Sequence, residues 1–231
     1  MRLLAAAAGL LFGATALAQD DGPPVDDPLK LGVLRNEEIR VVQDRLFPKD
    51  NRSEIGVAVG FIPFDAYTVA PLGRLTYGQH SSETFGWEVQ VAGGYGLPNG
   101  TYRELNGPTY GVQPEAYRFL TSVTGGVEFS PIYAKMAWGT GRVLHHDIYF
   151  PVVAGVTVEQ LVEVDLAGEA SPFAIAPTLG AGVGTRVFMG DGAHLRIEIR
   201  DDVMLQSRAS GTRAIKQNVG VTVGLGWLRG S

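Results

Sequence analysis

Apolar and polar side chains alternate along residues 194–205, which have the sequence HLRIEIRDDVML. Leu195 and Ile197 fall on one face of this segment, and Arg196 and Glu198 fall on the other. A period of two predicts a β-strand whose two faces lie in different surroundings. In a soluble sandwich the apolar face is the core, whereas in a membrane barrel it contacts lipid and the charged face lines the lumen.

Seven further segments show the same alternation, so the chain is predicted to contain eight strands. The clearest of them is residues 85–95, in which Phe85 and Trp87 alternate with Gly86 and Glu88. The eight predicted strands are residues 54–61, 67–79, 85–95, 121–129, 147–158, 173–187, 194–205 and 218–228.

The two predicted faces differ in residue type as well as in polarity. One face is aliphatic, with aromatic residues such as Tyr77, Phe85 and Trp227 near the strand ends, as lipid and its two interfaces favour. The other face consists of glycine, alanine, threonine and charged residues, which suits a narrow lumen. The sequence therefore predicts an all-β fold, an eight-stranded antiparallel up-and-down transmembrane barrel. A soluble sandwich or a lipocalin-like barrel is the alternative, with the valine face as its core.

The N-terminal region is predicted to precede the barrel. Residues 1–18 combine Arg2, an alanine-rich apolar stretch and an A-x-A site, which is typical of a signal peptide cleaved after Ala18. Residues 19–52 form an acidic, proline-rich linker and a short helix that Asn36 can cap, a periplasmic extension. The helix either docks on a partner or under the barrel, or simply leads into the first strand. The barrel is predicted to span residues 53–229 and to lie in a bacterial outer membrane.

Composition and the absence of known catalytic motifs exclude several classes of function. The chain has no cysteine, which excludes disulfides and thiolate metal sites, and its net charge of -5 argues against nucleic acid as a partner. No G-x-S-x-G, H-E-x-x-H or P-loop motif is present. We therefore expect no catalytic residues, no metal and no cofactor. His145 and His146 precede Asp147 and leave a lipid hydrolase as a hypothesis, although no serine motif accompanies them.

The lumen-facing charges are predicted to form one network, because carboxylates and guanidiniums crowded into a narrow lumen should pair. An eight-stranded barrel has an interior that side chains just fill, which favours a salt-bridged plug. The alternative is a selective pore. The predicted network comprises Glu54, Arg74, Glu88, Glu128, Asp147, Arg186, Arg196, Glu198, Arg200 and Asp202.

The connections predict an orientation in the membrane. With both termini in the periplasm, the turns at residues 80–82, 131–141 and 190–192 are periplasmic, and most of the longer connections are external. The longest external loop, residues 96–120, carries Tyr102, Tyr110 and Tyr117. Exposed aromatic residues on a rigid scaffold suit binding of a partner or a glycan, and the alternative is an ordinary surface loop. Residues 134–141 are compatible with a small extra hairpin, which the sequence leaves open.

Four segments carry a resemblance to a known family: residues 41–55 (VVQDRLFPKDNRSEI), 130–135 (SPIYAK), 145–149 (HHDIY) and 195–201 (LRIEIRD). Together they resemble eight-stranded outer-membrane β-barrel proteins typical of myxobacteria and related delta-proteobacteria. The resemblance implies an outer-membrane location and no settled activity, with some relatives in envelope machineries such as gliding motility. The chain departs from this pattern at its C-terminus, where Trp227 is followed by four more residues.

These observations predict an outer-membrane barrel with a structural or partner-binding role in the envelope, and not an enzyme. Its expected partners are outer-membrane lipid and envelope proteins, and its oligomeric state is left open. A narrow channel for small solutes is the first alternative, and an outer-membrane lipid hydrolase is the second.

Overall fold

The computed structural model describes residues 47–138, 142–163, 172–190 and 192–230. The predicted signal peptide and the predicted helix after Asn36 lie outside the described residues. Within these ranges the chain forms nine β-strands and one helix. They are β1 (Ser53–Ile62), β2 (Thr68–His80), β3 (Phe85–Gly94), β4 (Leu97–Pro98), α1 (Gly100–Asn106), β5 (Tyr117–Trp138), β6 (Arg142–Leu161), β7 (Phe173–Gly190), β8 (Ala193–Ser207) and β9 (Arg213–Arg229).

Eight of the strands form a closed antiparallel ring. The order is β1-β9-β8-β7-β6-β5-β3-β2, and β2 pairs back onto β1. Residues 53–61 of β1 pair with residues 221–229 of β9, with Val57 opposite Leu225 and Ile55 opposite Trp227. This pairing closes the ring, as a bilayer requires. The first part of β9 extends beyond β1 at the end that carries the longer connections. The predicted all-β, eight-stranded antiparallel barrel is confirmed.

The ring is apolar outside and polar inside. On the outer face Val59 and Ile175 are 70% and 69% exposed, whereas Glu54 and Arg186 on the inner face are 2% and 1% exposed. The faces predicted from the alternation are the faces that the structure shows. The valine face is therefore not a core, and the soluble alternative is wrong.

Aromatic side chains mark both ends of the outer surface. Trp87 and Trp227 lie toward the end where residues 81–84 join β2 to β3, which we call the turn end. Phe61 and Tyr95 lie toward the opposite end, which carries the longer connections and which we call the loop end. Two aromatic girdles around an apolar band are typical of a transmembrane barrel. Among the described residues no helix is long and apolar enough to cross a bilayer.

Strands β5 and β6 continue beyond the ring at the turn end. The pairing of β5 with β3 ends at Phe129, and the pairing of β6 with β7 begins at His145. Within the described residues, β5 pairs only with β6 from Ile132 onward, and residues 142–144 of β6 pair only with β5. The sequence analysis left open whether residues 134–141 form an extra hairpin. The described residues of this segment, 134–138, belong to the end of β5 in a long β5–β6 pair, and residues 139–141 lie outside the described residues.

The longest described connection at the loop end is folded. Strand β4 pairs with the start of β2, and α1 follows it directly. The Asn99 side chain caps this helix by accepting a hydrogen bond from the Tyr102 amide at 3.0 Å. Buried apolar side chains near the loop end form a cluster of Ile62, Ala70, Leu72, Ala92 and Phe119.

Candidate functional site

Arg186 on β7 is a centre of the charged lumen. Its Nε lies 3.2 Å from Glu54 Oε2, and its Nη1 lies 3.4 Å from Asp147 Oδ2. Its Nη2 donates a hydrogen bond to Glu128 Oε2. One guanidinium therefore neutralises carboxylates from three strands, which the planar fork of arginine allows.

Arg196 on β8 is a second centre, toward the middle of the lumen. Its Nη1 lies 3.3 Å from Glu54 Oε1, and its Nη2 donates to Glu88 Oε2 at 2.8 Å and to Glu198 Oε2 at 2.9 Å. The two arginines share Glu54, so the carboxylates around them belong to one network. Buried charges that pair in this way avoid the large cost of an isolated ion.

The network continues toward the loop end through two more arginines. Arg74 pairs with Glu198, and Arg200 Nε lies 2.9 Å from Asp202 Oδ1. Arg200 Nη1 also lies 3.6 Å from Glu198 Oε1, which joins this part to Arg196. The structure thus brings all ten residues of the predicted network together.

The sequence analysis missed several side chains that contact the predicted network, among them Gln90, which donates to Glu88 and accepts from Arg200. Four others are His80, His194, Lys49 and Tyr149. His80 and His194 approach Glu54 with distances of 2.9 and 3.2 Å, and Lys49 pairs with Asp147. The fourth is Tyr149, whose hydroxyl accepts from Arg196 Nε at 2.6 Å and donates to Glu198 Oε2 at 3.1 Å. The alternation placed His194 and Tyr149 on the inner face, but no local signal identifies Lys49, which precedes the first strand.

A separate ionic cluster lies near the loop end. Lys216 Nζ is 2.6 Å from Asp65 Oδ2 and 2.7 Å from Glu159 Oε1, and it donates to the Tyr117 carbonyl at 3.0 Å. Gln206 also donates to Glu159. The sequence analysis missed this cluster, although extending the alternation of β6 and β9 toward the loop end would have placed Glu159 and Lys216 on the inner face.

Little free volume remains between the charged side chains. A cavity of about 10 Å³ is bounded by residues that include Glu54, His80, Glu88 and Arg186. That volume holds about one water molecule. A wider hollow of about 300 Å³ opens at the loop end beside Phe64, Tyr67 and Arg208. Among the described residues, the cavity at the level of the network is therefore about the size of one water molecule.

The three loop tyrosines lie in different surroundings. Tyr102 is 3% exposed and its hydroxyl donates to Glu163 Oε1 at 3.0 Å, while Tyr117 is 5% exposed and donates to Glu115 Oε1 at 3.0 Å. Tyr110 is 58% exposed. Of the predicted loop surface, only Tyr110 presents a ring to solvent, and binding at this surface remains a prediction.

The pKa values of Tyr102, Glu115 and Tyr117 at the loop end are all shifted, and burial raises that of Tyr117. Burial, and then the hydrogen bond to the Glu163 carboxylate and its negative charge, raise the pKa of Tyr102 to about 12. Burial acts to raise the pKa of Glu115, but hydrogen bonds from the Tyr117 hydroxyl and the Ala209 amide outweigh it and lower the pKa of that carboxyl. The hydrogen bonds behind these shifts join separate connections, because Tyr102 donates to Glu163 and the Ala209 amide donates to Glu115.

The histidine pair lies on β6, where the strand leaves the ring. His145 Nδ1 is 2.8 Å from the Tyr133 hydroxyl, and the His145 ring packs edge-on against Phe47. Asp147, the carboxylate nearest in sequence, is engaged by Lys49 and Arg186. No group of three or more metal-binding side chains occurs within the described ranges.

Comparison with known proteins gives structural similarities only. No family model matches the chain, and no curated protein matches it. Neisserial surface protein A is similar with a TM-score of 0.43 and 10% identity, over 76% of this chain and 95% of that one. Ail, the attachment invasion locus protein of Yersinia pestis, is similar with a TM-score of 0.39 and 14% identity, over 78% and 99%. A major outer membrane protein from Thermus thermophilus has a TM-score of 0.39 and 10% identity, over 77% and 98%. The family resemblance noted in the sequence remains a prediction.

Proposed function

We propose that this protein is a bacterial outer-membrane β-barrel with a closed lumen, serving a structural or partner-binding role in the envelope without enzymatic activity. The observation that carries the proposal is Arg186, buried and shared by Glu54, Glu128 and Asp147 across the lumen. Such a network stabilises a plug and obstructs a path for solutes. The apolar outer face and its aromatic girdles support insertion in lipid.

The orientation follows from the connections. The turn end lies in the periplasm, where the β5–β6 hairpin projects from the ring, and the loop end faces the exterior. This assignment agrees with the general pattern of short periplasmic turns and longer external loops. The leader-like residues 1–18 support export, and the resemblance to envelope barrels supports a partner in an envelope assembly.

Two measurements on one preparation test the location and the closed lumen. On gels of isolated outer membranes, the unboiled protein should migrate faster than the boiled protein, as a closed detergent-resistant barrel does. The same folded material in planar bilayers should give no stable unitary conductance. An unshifted band in the soluble fraction would refute the membrane barrel, whereas a shifted band with stable conductance would favour the narrow channel.

The partner-binding part is supported by exposed side chains on an ordered loop. Asn99 and the Tyr102–Glu163 hydrogen bond fix the connection that carries Tyr110 and Val112, which are 58% and 53% exposed. A photo-crosslinking residue at position 110 should form a discrete protein adduct in intact cells, reduced by Val112→Ser. The same probe at the outward-facing position 59 serves as the control. No adduct above that control would contradict binding at this loop.

A further inference from the structure

One charged side chain interrupts the apolar outer face. Asp201 follows the outward-facing Ile199 on β8 and precedes the outward-facing Val203, and it lies opposite Ala181 on β7 and Val219 on β9. Apolar outward side chains continue along β8 on both sides of it, toward the turn end and toward the loop end. In the described part of the ring, the other outward charges, Arg118, Arg213 and Arg229, lie at or next to strand ends.

No group of the described residues donates a hydrogen bond to Asp201 Oδ1, which is buried against the barrel surface. The Asp201 side chain as a whole is half-buried, so part of its carboxyl group is accessible from outside. The neighbouring Asp202 points the other way, into the lumen, where it pairs with Arg200. A carboxyl among hydrocarbon is costly unless a donor reaches it, so ionisable residues at membrane depth generally have a partner.

A shallow depression of about 370 Å³ lies next to Asp201 on the outer face. It begins at Val203, the next outward residue after Asp201 on β8, and its other boundaries include Ala154, Pro177, Leu179 and Leu205. Ala181, opposite Asp201, is also small. Small outward side chains let two membrane-embedded surfaces approach closely, and this is how helices associate in bilayers.

We propose that the outer face of β7 and β8 is the interface of a two-fold dimer in the membrane, in which the Asp201 carboxyls of two copies hydrogen-bond to each other. A two-fold axis along the membrane normal keeps equivalent residues at the same depth, so a residue beside the axis meets its own copy. A carboxyl is self-complementary there, because the protonated form donates to the oxygen of the other. A lipid chain in the depression would supply no donor. The inference rests on the proposed membrane barrel.

The absence of cysteine from the chain permits a direct test by single-cysteine crosslinking. Val203→Cys places a thiol next to Asp201, while Val91→Cys places one on β3, on the far side of the ring. After oxidation in isolated outer membranes, Val203→Cys should give a disulfide-linked dimer and Val91→Cys should not. Equal dimer yields from the two positions would overturn the interface.

A second pair of variants tests the carboxyl itself. In the Val203→Cys background, Asp201→Leu should lower the dimer yield about tenfold, in line with the roughly 1–2 kcal/mol of a hydrogen bond between membrane segments. Asp201→Asn should retain the dimer, because a carboxamide also donates and accepts. Undiminished dimer with Asp201→Leu would overturn the role of Asp201.

Each variant is also run on gels with and without boiling. A heat-shifted band without crosslinked dimer would refute this inference and leave the proposed membrane barrel intact. An unshifted band in the parent protein would refute the barrel itself. Asp201→Leu removes a charge from the outer face, so we expect its band to shift as the parent's does.

Discussion

Arg186 on β7 and Arg196 on β8 are direct cross-strand neighbours, and both guanidiniums lie against the ring of Tyr149. The distances from the guanidinium carbons to the ring centroid are 4.4 and 4.6 Å. Like charges directly opposite each other ordinarily destabilise a sheet. Here the ring between them contributes cation–π attraction, and carboxylates surround both cations.

The Tyr149 side chain should therefore contribute to stability in two separable ways. Tyr149→Phe keeps the ring and loses the hydroxyl contacts to Arg196 and Glu198, so we expect a loss of about 1–3 kcal/mol in the free energy of unfolding. Tyr149→Leu also removes the ring between the two guanidiniums and should cost more. Denaturant unfolding in lipid vesicles measures both. Equal losses for the two variants would mean that the ring contributes nothing.

The same ring explains a glycine in the lumen. A Cβ at Gly184 would lie 2.1 Å from Tyr149 Cζ, closer than atoms can approach. Gly184→Ala should displace the ring and destabilise the barrel by about 1–3 kcal/mol or more. Gly73→Ala is the matched control, because a Cβ there meets nothing closer than the Ala58 carbonyl oxygen at 4.0 Å. Similar unfolding midpoints for the two variants would contradict the proposed close approach.

The loop end should respond to alkaline pH through Tyr102. The pKa of Tyr102 is raised to about 12 in the folded protein, whereas an unperturbed tyrosine has a pKa of about 10. Because the folded state favours the protonated hydroxyl, its stabilising contribution is complete below about pH 10 and is lost as pH rises through about 12. Burial also raises the pKa of Tyr117, so absorbance titration near 295 nm should show late-titrating tyrosines, and Tyr102→Phe should reduce this late step by one tyrosine. Unchanged titration curves in that variant would assign the late step to another tyrosine.

Alternation predicted the strands and their faces because each residue's side is set locally by the pleat. It placed Glu198 and Arg196 in the lumen without knowledge of their partners. It could not identify Lys49, because Lys49 lies outside any strand and its partner Asp147 is 98 residues away. Nor could it predict how far β5 and β6 extend, because alternation does not show where neighbouring strands stop pairing.

The loop end was less predictable for a different reason. Tyr102 and Tyr117 look like exposed aromatic residues in a long polar segment, but Glu163 and Glu115 hold their hydroxyls and the rings are buried. Such contacts depend on which connections meet in space. Asp201 differs from these tyrosines, because the alternation of β8 already places its side chain on the outer face. What is unusual is a carboxyl group among the apolar side chains of that face.

Glu54 lies on the first strand, yet its carboxylate contacts Arg186 and Arg196 on β7 and β8, across the seam between β1 and β9. While β1 and β9 are not paired, these guanidiniums lack one of their counter-ions. Pairing of the first and last strands therefore completes charge compensation as well as backbone hydrogen bonding. A barrel whose seam is open is electrostatically incomplete, which couples closure of the ring to formation of the charged lumen.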